Sequence, residues 1–288
     1  MFFPTLKMLC LAAAMTATLS MQASAAQNYR FAPLPMEQPE TVVKQMRPML
    51  GHLEAATGSR FRIEFSADYA EILKKFRDGQ VDLAYLGPLP YVALKEAYSQ
   101  AEPVVHFIEK SGKSSYTCAI VAAGGKVTLS SLKGKKIALT QPLSTCGYLA
   151  TDGLMRQAGT NLEDAKYRYL DKHDEVALAV ARGEYDAGGL KTGIGKKYAH
   201  MGLNIVAETA PMPGFALIAN SRTMSRADIE AIRKALTSLQ PLKNPADAQV
   251  TQGWGDNIRS GAVVASDSDY DSVRKLRARA DIPEKDNF

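Results

Sequence analysis

The hydroxyl-rich segment of residues 140–148 is the part of the sequence best suited to binding chemistry. It reads TQPLSTCGY and lies between an apolar run that predicts a strand and an amphipathic run that predicts a helix. Ser144 or Thr145 can cap that helix, while the unpaired N–H groups of its first turn point toward an anion. An ordinary N-cap is the alternative, but the position of the loop after a strand favours an anion site.

An enzymatic use of the same segment is a remote alternative. Ser144 or Cys146 could act as a nucleophile, with His173 as the base and Asp186 as the group that orients it. Ser144 lacks the GxSxG elbow, however, and anion binding already accounts for the hydroxyls. The sequence contains no HExxH, P-loop, CxxC pair or helix-opening GxGxxG. We therefore expect a binding protein without catalytic residues, metal or cofactor.

Two α/β units flank this loop. Glycines follow the predicted helices at Gly58, Gly79 and Gly183, where they end a helical pattern. The alternation of strands and helices predicts parallel sheets with crossover helices, and such sheets bind ligands at the carboxyl ends of their strands. The predicted helices cover residues 41–57, 70–78, 91–99, 148–158, 174–182 and 226–239, and the predicted strands include 31–35, 61–65, 81–86, 116–122, 167–170, 185–189, 205–208 and 215–219.

Residues 1–25 have the pattern of a secretory signal. Lys7 precedes an apolar run that is shorter than the ~20 residues of a bilayer span, and small residues precede the predicted cut after Ala25. Cys10 is not preceded by the small residues that are typical of a lipid-anchored cysteine. The remaining 263 residues suffice for two lobes, and subtracting Lys7 from the 35 basic residues leaves 34 against 30 acidic ones. A net charge of +4 is a mild bias toward anions and no nucleic-acid signature.

Several motifs, in order, resemble the periplasmic substrate-binding proteins of phosphonate, phosphite and phosphate ABC transporters. The likeness covers nearly the whole mature chain. The motifs are Asp68-Tyr69 before a short helix, VDLAYLGPLPY over residues 81–91, LKGK over 132–135, STCGY over 144–148, and His173 before a helix that ends in GEYDA over 183–187.

The resemblance implies a type II periplasmic binding fold, in which two α/β lobes, each a mostly parallel sheet flanked by helices, are joined by a two-strand hinge. The first lobe would comprise residues 26–114 and 210–288, and the second residues 115–209. The ligand would be a small oxyanion held by both lobes, with hydroxyl and imidazole groups as donors. The binding residues that the family implies are Tyr69, Tyr91, Ser144, Thr145 and His173. Tyr116, Cys146 and Lys191 are further candidates from their own positions in the sequence.

Two departures from the family pattern bear on the ligand. Cys146 replaces the third residue of the family's serine-threonine-serine loop and is a weaker donor. The strand after Asp186 ends in Lys191 rather than in an acidic group, so the carboxylate that an aminophosphonate's ammonium needs is missing there. If Lys191 is not simply a solvated loop lysine, it favours a doubly charged anion without a cationic tail.

Cys118 and Cys146 remain after signal removal, in a compartment where thiols oxidise. The resemblance places Cys118 at the crossing between the lobes, where Cys146 would face the same space. Three alternatives follow: a disulfide, two buried free thiols, or thiols that bind a soft ligand such as arsenite or a sulfur oxyanion.

The function expected from the resemblance is capture of a phosphate, phosphite or phosphonate-type oxyanion in the periplasm for the membrane permease of an ABC importer. The alternative is a receptor that senses a sulfur oxyanion or arsenite and signals to a sensor kinase. We expect a monomer, and a solvated tail from Asp281 to Phe288.

Overall fold

The structure is a computed structural model that describes residues 26–125 and 127–288. The predicted signal, with Lys7 and Cys10, lies outside the described residues and stays a prediction. Across the described ranges, no helix combines the length and the apolarity needed to cross a membrane.

The secondary structure follows the predicted alternation and adds elements to it. The strands are β1 (Asn28–Pro33), β2 (Arg60–Ile63), β3 (Leu83–Leu86), β4 (Ala101–Phe107), β5 (Ser115–Tyr116), β6 (Cys118–Ala123), β7 (Lys136–Leu139), β8 (Lys166–Tyr169), β9 (Ala187–Lys191), β10 (Leu203–Glu208), β11 (Met212–Pro213), β12 (Ala216–Asn220) and β13 (Ala262–Val264). The α-helices are α1 (Pro39–Thr57), α2 (Tyr69–Arg77), α3 (Pro88–Ala97), α4 (Ala150–Gln157), α5 (His173–Ala181), α6 (Thr192–Lys197), α7 (Arg226–Thr237), α8 (Pro245–Thr251) and α9 (Asp271–Arg277). A π-helical turn, Thr145–Leu149, runs directly into α4.

The first lobe is built on a six-stranded sheet, counted over the described residues, in the order β13-β4-β12-β3-β1-β2. β1 is parallel to both β2 and β3, as the strand-helix-strand pattern predicts. β12 returns from late in the chain and lies antiparallel between β3 and β4. The apolar core around Phe31, Leu50 and Phe76 is fully or almost fully buried.

The second lobe repeats this plan with the order β10-β6-β9-β7-β8 in the described chain. Here β7 is parallel to β8 and β9, so β7, β8 and β9 correspond to β1, β2 and β3 of the first lobe. β6 lies antiparallel to β9 and β10. Apolar clusters cover this sheet, one including Ile137 and Tyr167 and another including Val121 and Val176. The two-lobed α/β fold is thus confirmed, and each sheet is mixed because the returning strands are antiparallel.

A two-strand hinge joins the lobes, as expected. β5 and β11 pair antiparallel, with Tyr116 opposite Met212. Gly214 follows β11 in a space where an added Cβ would lie 2.8 Å from the Ser114 carbonyl oxygen and 3.0 Å from that of Phe107. Only glycine fits this crossing without moving backbone. The predicted lobe limits at residues 115 and 210 lie at these connections and remain a prediction.

The C-terminal residues are mostly exposed, as expected of a solvated tail, but they make hydrogen bonds with the second lobe. The Tyr167 amide of β8 donates to Asn287 Oδ1 at 2.7 Å, and the Tyr169 amide donates to Asp286 Oδ1 at 2.7 Å. The Asn287 side chain in turn donates to the Ala165 carbonyl at 2.9 Å. The tail therefore crosses to the second lobe, because β8 is an edge strand whose backbone groups need partners.

Candidate functional site

A small cavity lies between the lobes at the hinge. About 10 Å³ is available there to the centre of a water molecule. Groups from both lobes and from the hinge form its wall, and hydroxyls, an imidazole and an ammonium are among them. The lining residues are Leu34, Tyr69, Gly87, Pro90, Tyr116, Ser144, Thr145, Cys146, His173, Lys191 and Phe215.

The position of the cavity follows from the sheets. Much of its wall comes from the segments that leave the carboxyl ends of the parallel strands β1, β2, β3, β7, β8 and β9, where open α/β sheets bind ligands. Tyr69 is the first residue of α2 and His173 the first residue of α5. Because α2 and α5 hold the same place in their lobes, the two side chains line the cavity from opposite lobes.

The loop between β7 and α4 is folded tightly on itself. The Ser144 amide donates to the Gln141 carbonyl at 2.9 Å, and the Gly147 amide donates to the Ser144 carbonyl at 3.1 Å. A Cβ on Gly147 would lie 2.7 Å from Thr140 Oγ1, so the loop needs glycine there. Ser144 precedes the helical turn but makes no capping hydrogen bond. Its buried hydroxyl lines the cavity, which argues against the ordinary N-cap alternative.

Cys118 and Cys146 form a disulfide, with their Cα atoms 5.0 Å apart. The bond ties the loop of residues 140–147 to the start of β6 and so to the sheet of the second lobe. Of the three alternatives, the structure contains the disulfide. Neither sulfur is then a free thiol, a metal-type thiolate or a nucleophile, which removes the chemistry expected of Cys146 as a donor and as a catalytic group.

His173 is held as a neutral hydrogen-bond donor. The Lys191 amide donates to His173 Nδ1 at 3.1 Å, so the ring proton of the neutral imidazole lies on Nε2. Burial, aided by the nearby Lys191 charge, lowers the pKa of His173 to about 4. At neutral pH the ring therefore offers the cavity an N–H without adding a positive charge.

The tyrosine hydroxyls of the cavity are also neutral donors. Tyr69 and Tyr116 are buried, and burial raises the pKa of each hydroxyl above its ordinary value. A phenol that stays protonated can donate to an oxyanion without a buried countercharge. The polar part of the site is therefore largely uncharged.

Two hydrogen bonds cross between the lobes beside the cavity. The Tyr69 amide donates to Gln141 Oε1 at 3.0 Å, and the Leu89 amide donates to Thr145 Oγ1 at 3.0 Å. Both acceptors belong to the loop of residues 140–147, and both donors lie in the first turn of a helix of the first lobe. The loop thus binds the closed lobe directly and contributes to the wall of the cavity.

Lys191 separates the cavity from a wider outer cleft, and its charge is paired. Its Nζ lies 2.7 Å from Glu109 Oε1 and donates to Asn257 Oδ1 at 3.2 Å, both in the first lobe. The ammonium lies 5.3 Å from the ring centroids of Tyr116 and Phe215. Lys191 is therefore no solvated loop lysine. The expectation that its charge favours a doubly charged anion did not take the opposing Glu109 into account.

Two expected groupings are not present. Tyr91 does not line the cavity: its hydroxyl donates to Asp267 at 2.5 Å and its ring packs against that of Tyr270. The turn that begins α3 directs Pro90 to the cavity in its place.

Asp186 accepts from the Lys136 amide at the start of β9, roughly 16 Å along that strand from Lys191 and the adjacent imidazole of His173. The catalytic triad considered above therefore does not assemble.

The structure thus brings together Tyr69, Tyr116, Ser144, Thr145, Cys146, His173 and Lys191. The sequence did not indicate a role for Gln141, although this residue lies within the hydroxyl-rich segment of residues 140–148. It also did not indicate a role for Glu109, which follows the unpredicted strand β4. Sequence reasoning also missed Leu34 and Phe215, and it marked Gly87 only as part of the break at the end of a predicted strand. The Gly87-Pro88 break at a strand end was a usable signal, whereas an apolar side chain such as Phe215 carries none. In the described part of the chain, no cluster of three or more His, Cys, Asp or Glu could hold a metal ion.

Comparison with known proteins points to one family. Residues 31–270 match the model of the periplasmic substrate-binding protein of phosphonate ABC transporters. The phosphate-import protein PhnD of Mycolicibacterium smegmatis is 26% identical over 273 residues, which cover 87% of this chain and 85% of that protein.

Solved structures share the fold. PhnD1 from Prochlorococcus marinus in complex with methylphosphonate has a TM-score of 0.75 at 15% identity, with 88% of this chain and 98% of that chain covered. A binding-protein component of an ABC phosphonate transporter from Pseudomonas aeruginosa has a TM-score of 0.74 at 20% identity, with 88% and 86% covered. The alkanesulfonate-binding protein SsuA from Xanthomonas axonopodis has a TM-score of 0.59 at 15% identity, with 89% and 92% covered.

Proposed function

The chain belongs to the family of periplasmic substrate-binding proteins of phosphonate ABC transporters, and we propose that it captures a compact phosphorus oxyanion for the permease of an ABC importer. The observation that carries this proposal is the cavity itself. Donors from both lobes surround a space that is closed by inter-lobe hydrogen bonds. This family consists of substrate-binding transport proteins rather than enzymes.

The size and charge of the cavity favour phosphate, phosphite or methylphosphonate. The space between the closed lobes is about that of one water molecule, so the lobes must part slightly for a compact oxyanion and further for one with a long substituent. The ammonium group of an aminoalkylphosphonate would need a carboxylate partner. The nearby Glu109 carboxylate already forms a salt bridge with Lys191. A phosphate-import protein and a methylphosphonate complex among the similar proteins support the same class of ligand.

The competing ligands have weaker support. Soft ligands such as arsenite need a thiolate, and the disulfide leaves neither cysteine free. No observation on this chain favours a sensor kinase over a permease as the membrane partner. That partner and the monomeric state remain predictions.

Isothermal titration calorimetry of the mature protein tests the proposal. Phosphate, phosphite and methylphosphonate are compared with aminoethylphosphonate, sulfate and arsenite, each with and without reductant. We expect binding of a compact phosphorus oxyanion that persists in reductant. Binding of arsenite alone, lost or gained with reductant, would replace this function by a thiol-dependent one.

A further inference from the structure

The charges around the cavity sum to zero. Lys191 is the cation among the lining residues, and Glu109 opposes it at 2.7 Å. Both side chains are largely buried, at 12% and 21% exposure, so solvent screens this pair little. The other polar groups of the wall are hydroxyls and a neutral imidazole. A ligand therefore enters a site that offers many donors and no net positive charge.

We propose that the Glu109–Lys191 pair selects the singly charged, protonated form of the oxyanion and disfavours the doubly charged form. This inference rests on the proposed function. The desolvation cost of a buried ion rises with the square of its charge, and a site without net countercharge does not offset a second charge. The proton of the monoanion also finds acceptors, because hydroxyl oxygens accept as well as donate.

The buried tyrosines and His173 do not titrate in a way that would mimic this selection. Burial raises the pKa of Tyr69, Tyr85 and Tyr116, and His173 has a pKa of about 4, so all four stay neutral between pH 5.5 and roughly 8.5. The charged groups that line the outer cleft beyond Lys191 are Glu37, Lys44, Glu109, Lys110, Lys113, Lys196, Lys197 and Asp256. Phosphate, phosphite and methylphosphonate lose their second proton near neutral pH, so the ligand itself supplies the pH dependence.

Calorimetric titration across pH 6 to about 8.5 tests the inference with ligands of fixed and variable charge. Hypophosphite is singly charged throughout, sulfate is doubly charged, and phosphite and phosphate change from one to two charges. We expect the affinity for phosphite and phosphate to fall about tenfold per pH unit above their second ionisation, because only the monoanion fraction binds. The affinity for hypophosphite stays flat, and sulfate binds at least about a hundredfold more weakly than the phosphite monoanion.

The Glu109→Gln variant removes the negative charge while keeping an acceptor for Lys191. It should bind sulfate and the phosphate dianion at least about tenfold more tightly and lose the decline with pH. Asp256→Asn is the matched control, since Asp256 pairs with Lys110 at 2.7 Å, both being 61% exposed. This control should titrate as the wild type does.

Outcomes for the wild type separate this inference from the function. An affinity for phosphate that is constant or rises with pH would overturn the charge selection and leave the proposed function standing. If no phosphorus oxyanion binds at any pH to a cooperatively folded protein, both are wrong. Because the wild-type series is decisive alone, misfolding of the Glu109→Gln variant would not weaken the test.

Discussion

Tyr69 and His173 hold equivalent places in the two lobes, yet the helix starts around them differ. In the first lobe, Asp68 caps α2 by accepting from the Glu71 amide, and prolines occupy two of the first three positions of α3. The first-turn amides of Tyr69 and Leu89 donate to the other lobe. In the second lobe, neither the turn at Thr145 nor α5 has a side-chain cap among the described contacts.

This difference assigns different tasks to the lobes. Uncapped first-turn N–H groups and the positive end of a helix attract an anion. We therefore predict that the second lobe provides the surface that captures the ligand, while the first-turn amides of Tyr69 and Leu89 hold the closed state. Hinge bending at β5 and β11 would bring Tyr69 over the ligand.

The largest effect is expected from placing a carboxylate on the capturing lobe. Ser144→Asp would oppose the bound anion, and two like charges about 4 Å apart near a protein surface repel by about 4 kcal/mol. We expect roughly a thousandfold loss of affinity by calorimetry, with a cooperative melt like that of the wild type. Retention of the affinity within tenfold would show that the anion does not bind against this loop.

Removing the disulfide should mainly weaken the second lobe. The cysteines are separated by 28 residues, and closing a loop of that length stabilises the fold by about 3.5 kcal/mol. We expect the Cys118→Ala, Cys146→Ala double variant to lose about this much free energy of unfolding in denaturant titration. Reductant should shift the wild type but not the variant. An unchanged wild-type midpoint in reductant would contradict the structural role.

Acid should destabilise the protein through His173 but not through its counterpart Tyr69. The folded pKa of His173 is about 4 and the unfolded value about 6.5, so the unfolded chain binds the proton first as the pH falls. Stability is lost between these values, by at most about 3 kcal/mol. The slope of unfolding free energy against pH should be shallower in His173→Gln and unchanged in Tyr69→Phe. Identical slopes in all three would contradict the buried neutral imidazole.

Deleting residues 286–288 should have the smallest effect and again act on one lobe. The deletion exposes the edge of β8 and removes the hydrogen bonds of Asp286 and Asn287, so we expect a loss of about 1–2 kcal/mol. Differential scanning calorimetry should show a melting temperature lower by a few degrees. A melt identical to the wild type would mean that the tail adds no stability.

Sequence reasoning predicted the elements whose signals are local. The helix that ends at Gly58 and the strands β7 and β8 follow from periodicity and glycine stops. It did not predict β4, β13 or α9, because their patterns do not show which sheet or helix they join. The tail on β8 likewise depends on an edge strand far away in sequence.

The site residues show the same difference between local sequence signals and long-range arrangement. Ser144, Thr145 and His173 belong to loops with recognisable order, and the structure brings them together. Tyr91 lies outside the cavity wall because the turn that begins α3, not the motif, decides which residue faces inward, and its role in binding stays a prediction. Glu109 escaped notice because its importance arises only when the lobes meet and Lys191 reaches across.

Stopped-flow binding of phosphate or phosphite tests the division of labour between the lobes most directly. Trp254, the sole tryptophan of the sequence, lines the outer cleft between them and provides the fluorescence signal. Ser144→Ala should slow association, whereas Tyr69→Phe should leave association unchanged and speed dissociation about tenfold, as expected for one lost hydrogen bond to a charged ligand. If Tyr69→Phe slows association as much as Ser144→Ala does, the first lobe shares in capturing the ligand. That result would contradict the division of labour between the lobes.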